Sequence, residues 1–329
     1  MDGPLRVGVY GAGNFANREH LPNLARIDGV RVVAVCDVDQ KAARATAARF
    51  GIPAVYTDGM QMLAGERLDA LWSVVPAAAR GDVEVAAAER GIHLFSEKPQ
   101  ATEMRTARRI DAAIRRGGVL STVGFRERYR PIFQEARRLL ADKKVVHVRF
   151  QSFRDLPAQD AGDAEFRSYG AAFFDWGPHA VDYCRFMSGR DITTAQAFFA
   201  DRPPYLTPLS ASFNFAMTGG ATMTVTFVCA GPGGPANEPY FLICYEGGYL
   251  GVHGYDRIEM NGRTVYEAED FNPWFELDRR FCEAVRSGDG RALLNDYRDG
   301  LSTLAPLLAG WESAKRGGEP IDVEGYLRG

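Results

Sequence analysis

The fold of this chain is decided by the stretch Leu5-Arg6-Val7-Gly8-Val9-Tyr10-Gly11-Ala12-Gly13-Asn14-Phe15-Ala16. Its first half is a short apolar run typical of a buried parallel strand, and its second half is a G-x-G-x-x-A sequence that leads into a helical segment. Gly11 permits the tight turn, Gly13 leaves room for a pyrophosphate, and Ala16 allows the helix to pack closely on the strand. Because a helix N-terminus also offers free N–H groups to phosphates, we expect this loop to bind a dinucleotide. The predicted contacts are Gly11, Gly13, Asn14, Phe15 and Ala16.

An acidic residue follows the second predicted strand. Residues 30–36 run into Asp37, where a carboxylate can accept hydrogen bonds from the ribose of adenosine. A carboxylate there also repels the 2′-phosphate of NADP, and the next two residues include no arginine to receive that phosphate. We therefore expect NAD rather than NADP as the cofactor, unless Lys41 or Arg44 folds back toward the phosphate. The alternative, a glycine-rich turn that binds nothing, is disfavoured because strand, loop, helix and acid occur in the expected order.

Length and composition limit the class of protein. The chain has 329 residues, 46% of them hydrophobic and 25% charged, which suits two ordinary domains. Lys plus Arg total 39 against 42 for Asp plus Glu, without a long block of either sign, so a nucleic-acid partner is disfavoured. No apolar run approaches the roughly 20 residues that cross a bilayer, and no basic leader precedes Leu5, so we expect a cytoplasmic protein without a membrane partner. The five histidines lack metal-ligand spacing, which predicts no metal site.

Two patterns divide the chain near residue 125. Residues 1–125 alternate short apolar runs with Ala/Arg/Glu-rich helical segments, which predicts a Rossmann domain with a doubly wound parallel sheet. Residues 126–329 predict an α+β domain on an open, mostly antiparallel sheet, with C-terminal helices over 273–287 and 292–315 that pack back on the first domain. The predicted strands are residues 5–10, 30–36, 71–75, 93–95, 119–123, 145–153, 193–200, 210–216 and 222–229, with more near 241–253.

A lysine stands directly after a short predicted strand. The segment His93-Leu94-Phe95-Ser96-Glu97-Lys98-Pro99 puts Lys98 at the sheet edge where doubly wound folds bind ligands. An ammonium there could hold a substrate hydroxyl and stabilise alkoxide character as hydride leaves, and a cis Pro99 would fix the turn. Lysine is scarce in this chain, which favours a site over the alternative, a surface lysine in a turn.

A second candidate set precedes an apolar helical stretch. In Asp175-Trp176-Gly177-Pro178-His179 the acid and the histidine stand four residues apart, hence on one face of a helix that begins here, since Pro178 is tolerated only in a first turn. Histidine is the natural base for a hydroxyl proton near neutral pH, and the carboxylate of Asp175 can hold its ring. The residues alone leave open a capping Asp175 beside a buried His179. Asp182, further along, is expected to hold structure.

These segments together resemble the Gfo/Idh/MocA oxidoreductases, named for glucose–fructose oxidoreductase and inositol dehydrogenase. The likeness rests on the loop 11–16, on residues 50–58, and above all on Glu97-Lys98-Pro99, the family's most specific short signature. It is strong over residues 5–125, confined to motifs up to residue 190, and weak beyond.

The resemblance implies the site of such enzymes. Lys98 would lie by the nicotinamide and the substrate hydroxyl and act with Asp175 and His179. The turn Val75-Pro76 would lie near the nicotinamide ribose, although Arg80 stands where many members have His. The second domain's sheet would pair with another subunit in a homodimer or homotetramer. The candidate catalytic residues are therefore Lys98, Asp175 and His179, and the cofactor contacts extend to Asp37, Val75, Pro76, Glu97 and Lys98.

Two of the candidate substrate-binding residues are found where the sequence departs from the family's motifs. Arg126 replaces the usual Asn or Met of a family segment, and Tyr169 stands where relatives often have glycine. The candidates for substrate binding are Arg126, Arg154, Tyr169 and Trp176, and the alternative for them is packing at the surface or at a domain interface. The resemblance implies that NAD oxidises a secondary hydroxyl of a sugar, aminosugar or cyclitol, or that the reverse reaction reduces a ketosugar.

Other functions within the same family stay open. Some members are NAD-dependent glycosidases or lyases that oxidise, eliminate and re-reduce without net NADH, an NADPH-dependent ketosugar reductase is a further option, and others bind a dinucleotide without turnover as sensors. The combination of Lys98, Asp175 and His179 argues against a sensor, because a sensor has no reason to keep an acid–base set.

Overall fold

Runs of small and branched apolar residues build a six-stranded parallel sheet in the N-terminal part of the chain. The computed structural model describes residues 3–155, 176–202, 205, 207–231, 233–234 and 237–328. The first six strands are β1 (Leu5–Tyr10), β2 (Val30–Cys36), β3 (Ala54–Tyr56), β4 (Ala70–Ser73), β5 (His93–Ser96) and β6 (Ser121–Val123), in the order β3-β2-β1-β4-β5-β6. This order confirms the predicted Rossmann fold. The order reverses between β1 and β4, so the carboxyl ends of these strands border the crevice where such sheets bind ligands.

Helices connect these strands and follow them along the chain. They are a π-helical turn (Ala16–His20) continued by α1 (Leu21–Leu24), then α2 (Gln40–Phe50), α3 (Gly59–Gly65), α4 (Asp82–Glu89), α5 (Met104–Gly117), α6 (Pro131–Leu140), α7 (Gly177–Ser188), α8 (Pro273–Ser287), α9 (Tyr297–Lys315) and α10 (Val323–Arg328). The Asp39 side chain caps α2 by accepting from the N–H of Lys41, and Gly51 ends it with a φ of 65°. None of the described helices is both long and apolar enough to span a membrane.

The first compact unit consists of Met1–Tyr129 together with Asn272–Leu301. The second of these segments contains α8, which supplies part of this unit's core. Phe281 of α8 is fully buried and meets Trp72 of β4 edge-on, with ring centroids 5.2 Å apart. Because such contacts join residues far apart in the chain, local patterns do not reveal them.

The second unit consists of Arg130–Phe271 and Ser302–Gly329 and is built on a nine-stranded sheet. Its strands are β7 (Val145–Phe153), β8 (Ile192–Phe199), β9 (Ser210–Met217), β10 (Thr222–Val228), β11 (Phe241–Tyr245), β12 (Gly248–His253), β13 (Arg257–Met260), β14 (Arg263–Glu267) and β15 (Ile321–Asp322), in the order β14-β13-β12-β11-β7-β10-β9-β8-β15. The central pair β7–β10 is parallel and the other neighbours are antiparallel, which confirms the predicted mostly antiparallel sheet.

Alternation along these strands buries one face of the sheet. In β10, Met223 and Phe227 are buried, whereas Thr224 between them is on the opposite face and partly exposed. α6 and α7 meet in an apolar layer, in which Tyr183 of α7 packs on Phe133 of α6 with ring centroids 5.1 Å apart. The helix that carries the predicted histidine, α7, is therefore buried along its whole length.

Candidate cofactor and active-site residues

The glycine loop follows β1 at the crevice of the parallel sheet. Gly11 has a φ of 106°, and a Cβ on it would come within 2.8 Å of the Val74 backbone, so this turn requires glycine. A Cβ on Gly13 would meet nothing within 4 Å, which leaves open space above the loop. Ala16 is fully buried behind it. The loop therefore fits a pyrophosphate that approaches its backbone closely.

Asp37 and the start of the following helix complete this cradle. Asp37 Oδ2 accepts a hydrogen bond from the Ala12 N–H at 2.7 Å, and Oδ1 accepts from the Asp39 N–H at 2.9 Å. Each oxygen keeps a further lone pair, so the carboxylate can also accept from a ribose hydroxyl. Asn14 is exposed and Phe15 is half-buried where the helix begins.

A cavity of about 500 Å³ opens at the carboxyl ends of β1, β2 and β3. Tyr10, Thr57 and the 88% exposed Val38 line it from these strand ends, and Arg80 lines it from the side of α4. Burial, followed by the charge of Glu84, raises the pKa of Tyr10 to about 12, so its hydroxyl is a neutral donor at physiological pH. The cavity has the size of a small-molecule site and suits the adenosine end of a dinucleotide.

Lys98 stands at the carboxyl end of β5 in a turn that is held from two sides. The Lys98–Pro99 peptide is cis, in agreement with the expectation from the sequence. On one side, Glu97 Oε2 accepts a hydrogen bond from the Lys98 N–H at 3.0 Å. On the other side, the buried Arg80 guanidinium donates to the Val75 carbonyl at 2.7 Å and to the carbonyls of Glu97 and Pro99. Arg80, where the chain departs from the family pattern, thus joins the turn after β4 to the Lys98 turn.

A buried charge cluster lies behind the Lys98 turn. His20 is fully buried, with Nδ1 2.9 Å from Asp278 Oδ1 and Nε2 3.2 Å from Glu97 Oε1. Asp278 also accepts hydrogen bonds from Asn23 Nδ2 at 2.9 Å and from Trp72 Nε1 at 3.0 Å. Both nitrogens of the ring therefore face a carboxylate, as in an imidazolium that donates twice. The sequence did not single out His20 or Asp278, because no local pattern relates them.

The partners of His20 fix its charge. Burial alone lowers the pKa of His20, but the charge and hydrogen bond of Asp278, together with those of Glu97, outweigh burial and raise the pKa to about 10. Burial raises the pKa of Glu97, whereas His20, Lys98 and Arg80 lower it, and the net result is a pKa below the usual value. At neutral pH the cluster therefore holds a protonated His20 against an ionised Glu97.

In the second unit, His179 lies in the first turn of α7, directly after Pro178. It is 3% exposed, and its Nδ1 is 2.6 Å from the hydroxyl oxygen of Tyr183, one turn further along the helix. The two rings stack with centroids 5.3 Å apart. Tyr183 was not among the candidates from the sequence, although its spacing of four residues from His179 places both on one face of the helix. Asp182 accepts a hydrogen bond from Thr303 Oγ1 at 3.1 Å, which is the structural role expected of it.

A smaller cavity of about 280 Å³ adjoins this histidine. It is lined by Phe150, Gln151, Ser152, Phe153, Arg154, Trp176 and Tyr240. The Trp176 ring lies 5.9 Å from the His179 ring, and the Arg154 guanidinium lies over the same indole, 5.8 Å from its centroid. Two of the predicted substrate residues, Arg154 and Trp176, thus line one cavity, and Trp176 also contacts His179.

Two contacts of Arg126 lie within the first unit. Its guanidinium lies over the ring of Trp274, 4.1 Å from the centroid, and its Nε is 3.0 Å from Glu127 Oε1. These contacts fit the packing alternative for Arg126. Trp274 was not among the candidates from the sequence, and its Nε1 is buried without a hydrogen bond in the part of the chain that the structure describes.

Two predicted site residues, Asp175 and Tyr169, lie outside the described residues. In the first unit, the structure groups the glycine loop, Asp37, the Val75 turn and Lys98 at the carboxyl edge of the parallel sheet. Among the described residues, no group of three or more His, Cys, Asp or Glu side chains is placed to hold a metal ion.

Comparison with known proteins places this geometry in a family. Residues 5–125 match the Gfo/Idh/MocA model described as an oxidoreductase family with an NAD-binding Rossmann fold, and residues 133–250 match the C-terminal domain model of the same family. The chain belongs to the Gfo/Idh/MocA oxidoreductase family. Its N-terminal domain is the NAD-binding domain of that family, and NAD is its cofactor. The open space above Gly13 and the carboxylate of Asp37 fit this assignment.

Two curated relatives and one solved structure illustrate the kinship of this Gfo/Idh/MocA protein. It is 30% identical over 198 residues to scyllo-inositol 2-dehydrogenase (NAD(+)) of Bacillus subtilis, with 59% of this chain and 57% of that protein covered. It is 28% identical over 311 residues to inositol 2-dehydrogenase 4 of Saccharopolyspora erythraea, with 86% of each covered. An oxidoreductase from Agrobacterium radiobacter, solved with NAD+, L-tartaric acid and magnesium, has the same fold, with a TM-score of 0.80 at 21% identity over 98% of this chain and 99% of that one.

Proposed function

We propose that this protein oxidises a secondary hydroxyl of a sugar, aminosugar or cyclitol with NAD as hydride acceptor. The observation that carries the proposal is the Lys98 turn, in which Glu97 and Arg80 hold a lysine at the carboxyl edge of the NAD-binding sheet. The inositol dehydrogenases among its relatives support the substrate class. Run in reverse, the same groups would reduce a ketosugar.

Each candidate residue has a distinct task in this reaction. The Lys98 ammonium holds the reacting hydroxyl and stabilises negative charge as it develops on the oxygen. His179 accepts the hydroxyl proton on Nε2, in the tautomer whose Nδ1–H donates to the Tyr183 hydroxyl oxygen. Asp175, which lies outside the described residues, would favour the imidazolium that forms. Arg154 and Trp176 would contact the substrate in the cavity next to His179.

Nicotinamide absorbance at 340 nm tests the proposal directly. Purified protein is mixed with NAD or NADP and a panel of inositols, aminocyclitols, hexoses and glycosides. We expect one member to reduce NAD, faster than NADP, and Lys98→Met to lower kcat by about 100-fold while dinucleotide binding remains. Lys143→Met is the matched control, because Lys143 pairs with Asp142 on the surface. Conversion of a glycoside without net NADH would point to the redox-neutral reaction instead, and binding of dinucleotide without any turnover would point to a sensor.

We also propose that the outer face of the nine-stranded sheet joins copies of the chain into a homodimer or homotetramer. This face includes Thr224 at its centre, and Val146 and Phe198 on it are each 51% exposed. Light scattering measures the mass against the 36.2 kDa of one chain. Thr224→Arg, which puts like charges opposite each other in a symmetric interface, is expected to give monomers. A monomeric wild-type protein would refute the proposal.

A further inference from the structure

The proposed reaction uses Lys98 but not the charged groups packed behind it. Asp278, His20 and Glu97 form an unbroken line, in which the central ring is 2.9 Å from one carboxylate and 3.2 Å from the other. All of them lie in regular elements or turns of the first unit, and the side chains of His20 and Asp278 are completely buried. This cluster needs an explanation because burial of charge is costly.

Stability alone does not explain the cluster. Apolar residues of similar volume can often replace a buried ion pair without loss of stability, because removing the charges from water costs about as much as their attraction returns. The surroundings of His20 would accept such a replacement. Its ring meets the rings of Phe15 and Phe95 edge-on, with centroids 5.4 and 5.0 Å away. A protonated His20 at this position therefore indicates a function that requires its positive charge.

The cluster ends at the Lys98 turn. One oxygen of Glu97 faces His20, and the other accepts the hydrogen bond of the Lys98 N–H. The same carboxylate lies against Gly124, where a Cβ would collide with it. These three contacts restrict the position of the Glu97 carboxylate. A movement of this carboxylate would therefore disturb the backbone of Lys98.

His20, on the other side of its contact with Glu97, belongs to the helix after the glycine loop. His20 closes the π-helical turn Ala16–His20, in which the Leu21 N–H donates to the Ala16 carbonyl, five residues back. Turns of this kind are rare and occur frequently at functional sites. Through His20, the helix that begins at the pyrophosphate loop contacts the turn that carries the candidate catalytic lysine.

We propose that His20 is a positioning residue for Lys98. As an imidazolium it holds the Glu97 carboxylate, Asp278 holds the ring from the opposite side, and Glu97 fixes the Lys98 backbone. The effect on catalysis rests on the proposed function, whereas the coupling of His20 to Lys98 does not depend on any substrate.

NMR of the lysine side chains tests that coupling without turnover. The chain has only five lysines, Lys41, Lys98, Lys143, Lys144 and Lys315, so ¹³Cε-lysine labelling gives a simple spectrum in which Lys98→Arg assigns one signal. We expect His20→Gln to shift the Lys98 signal and to leave the other four in place. His93→Gln is the matched control, because His93 is a half-buried histidine of β5 that accepts from the Leu120 N–H at 2.9 Å. It should leave all five signals unchanged.

An unchanged Lys98 signal in a folded His20→Gln protein would overturn the proposal. If His20→Gln does not fold, Asp278→Asn serves in its place, because it keeps the shape of the side chain and removes the charge behind the ring. It should shift the same lysine signal. A folded Asp278→Asn protein with an unmoved Lys98 signal would equally overturn the proposal.

Kinetics of double variants separate positioning from general destabilisation. With the substrate found on the panel, we expect His20→Gln to lower kcat by about 10- to 100-fold, the cost of a misplaced group, with NAD binding retained. In the Lys98→Met background the same substitution should cost little further, because its effect acts through Lys98. Additive losses would show a merely structural role. If no panel member is oxidised, the proposed function fails, and the lysine spectrum still decides the role of His20.

Discussion

The two buried histidines, His20 and His179, have different partners in the part of the chain that the structure describes. His20 is fully buried between the carboxylates of Asp278 and Glu97, which raise its pKa to about 10. His179 is 3% exposed, and the Nδ1 of its ring faces the neutral hydroxyl of Tyr183. A ring held between these two carboxylates keeps its proton at neutral pH.

This difference assigns the two residues to different tasks. A general base must lose and gain a proton near the working pH, which His20 does not do while both carboxylates are ionised. His20 instead provides a fixed positive charge within the NAD-binding domain. Burial by itself therefore does not separate a catalytic histidine from a structural one, because both residues are buried.

The largest effect is expected at His179. His179→Ala removes the proposed base, and such groups contribute about 10²- to 10⁴-fold, so kcat should fall by about 1000-fold with little change in KM. The measurement is the initial rate of NADH formation with the substrate identified on the panel. His253→Gln, which alters a histidine paired with Glu259 in the same unit, is the control and should stay near the wild-type rate. A His179→Ala enzyme with near-normal kcat would remove the proposed contrast between the two residues.

The pH dependence of the protein's stability should reflect the protonation of His20 in particular. Its pKa rises from 6.5 in the unfolded chain to about 10 in the folded protein, so its charge stabilises the folded state fully below pH 6.5. That contribution, on the order of a few kcal/mol, is lost progressively as the pH rises from 6.5 through 10. Wild-type Tm should therefore decline over this range more steeply than the Tm of His20→Gln. Glu97 acts in the opposite sense, because its lowered pKa stabilises the folded state above its unfolded pKa and the effect is lost in acid.

Parallel Tm profiles of the two proteins from pH 6.5 to 10 would mean that His20 is not held as a cation. The comparison between the two histidines would then rest on geometry alone. His93→Gln is again the control, because burial lowers the pKa of His93, so it is neutral and should not add to the slope above pH 6.5.

Much of the fold could be predicted from local patterns. The bounds of β1, β2, β7 and α8 are those predicted, because each is a complete run with clear alternation or helical spacing and a clear end signal. β3 was missed, since three half-exposed residues give no pattern. The partners of Phe281 in α8 could not be predicted either, because its contact with Trp72 joins residues far apart in the chain.

In the candidate site, too, the residues in local motifs could be predicted and their distant partners could not. The glycine loop, Asp37 and Lys98 were found because each belongs to a short motif at a strand end. The partners that set their geometry were not found, since they come from elsewhere in the chain. His20 and Asp278 are 258 residues apart, and Arg80 acts through carbonyl groups that no sequence pattern identifies. Motifs therefore located the reactive groups, and only the structure identified what holds them.

The smallest effect is expected at Tyr183. Tyr183→Phe keeps the ring that packs on Phe133 and removes only the hydroxyl 2.6 Å from His179 Nδ1. One such hydrogen bond is worth about 1 kcal/mol, so we expect kcat to fall by about three- to tenfold with KM unchanged. Tyr297→Phe removes another buried hydroxyl, one without a hydrogen bond among the described residues, and should change neither quantity. Equal effects of the two substitutions would show that the hydroxyl of Tyr183 serves packing only, and that His179 is oriented by groups other than its neighbour on α7.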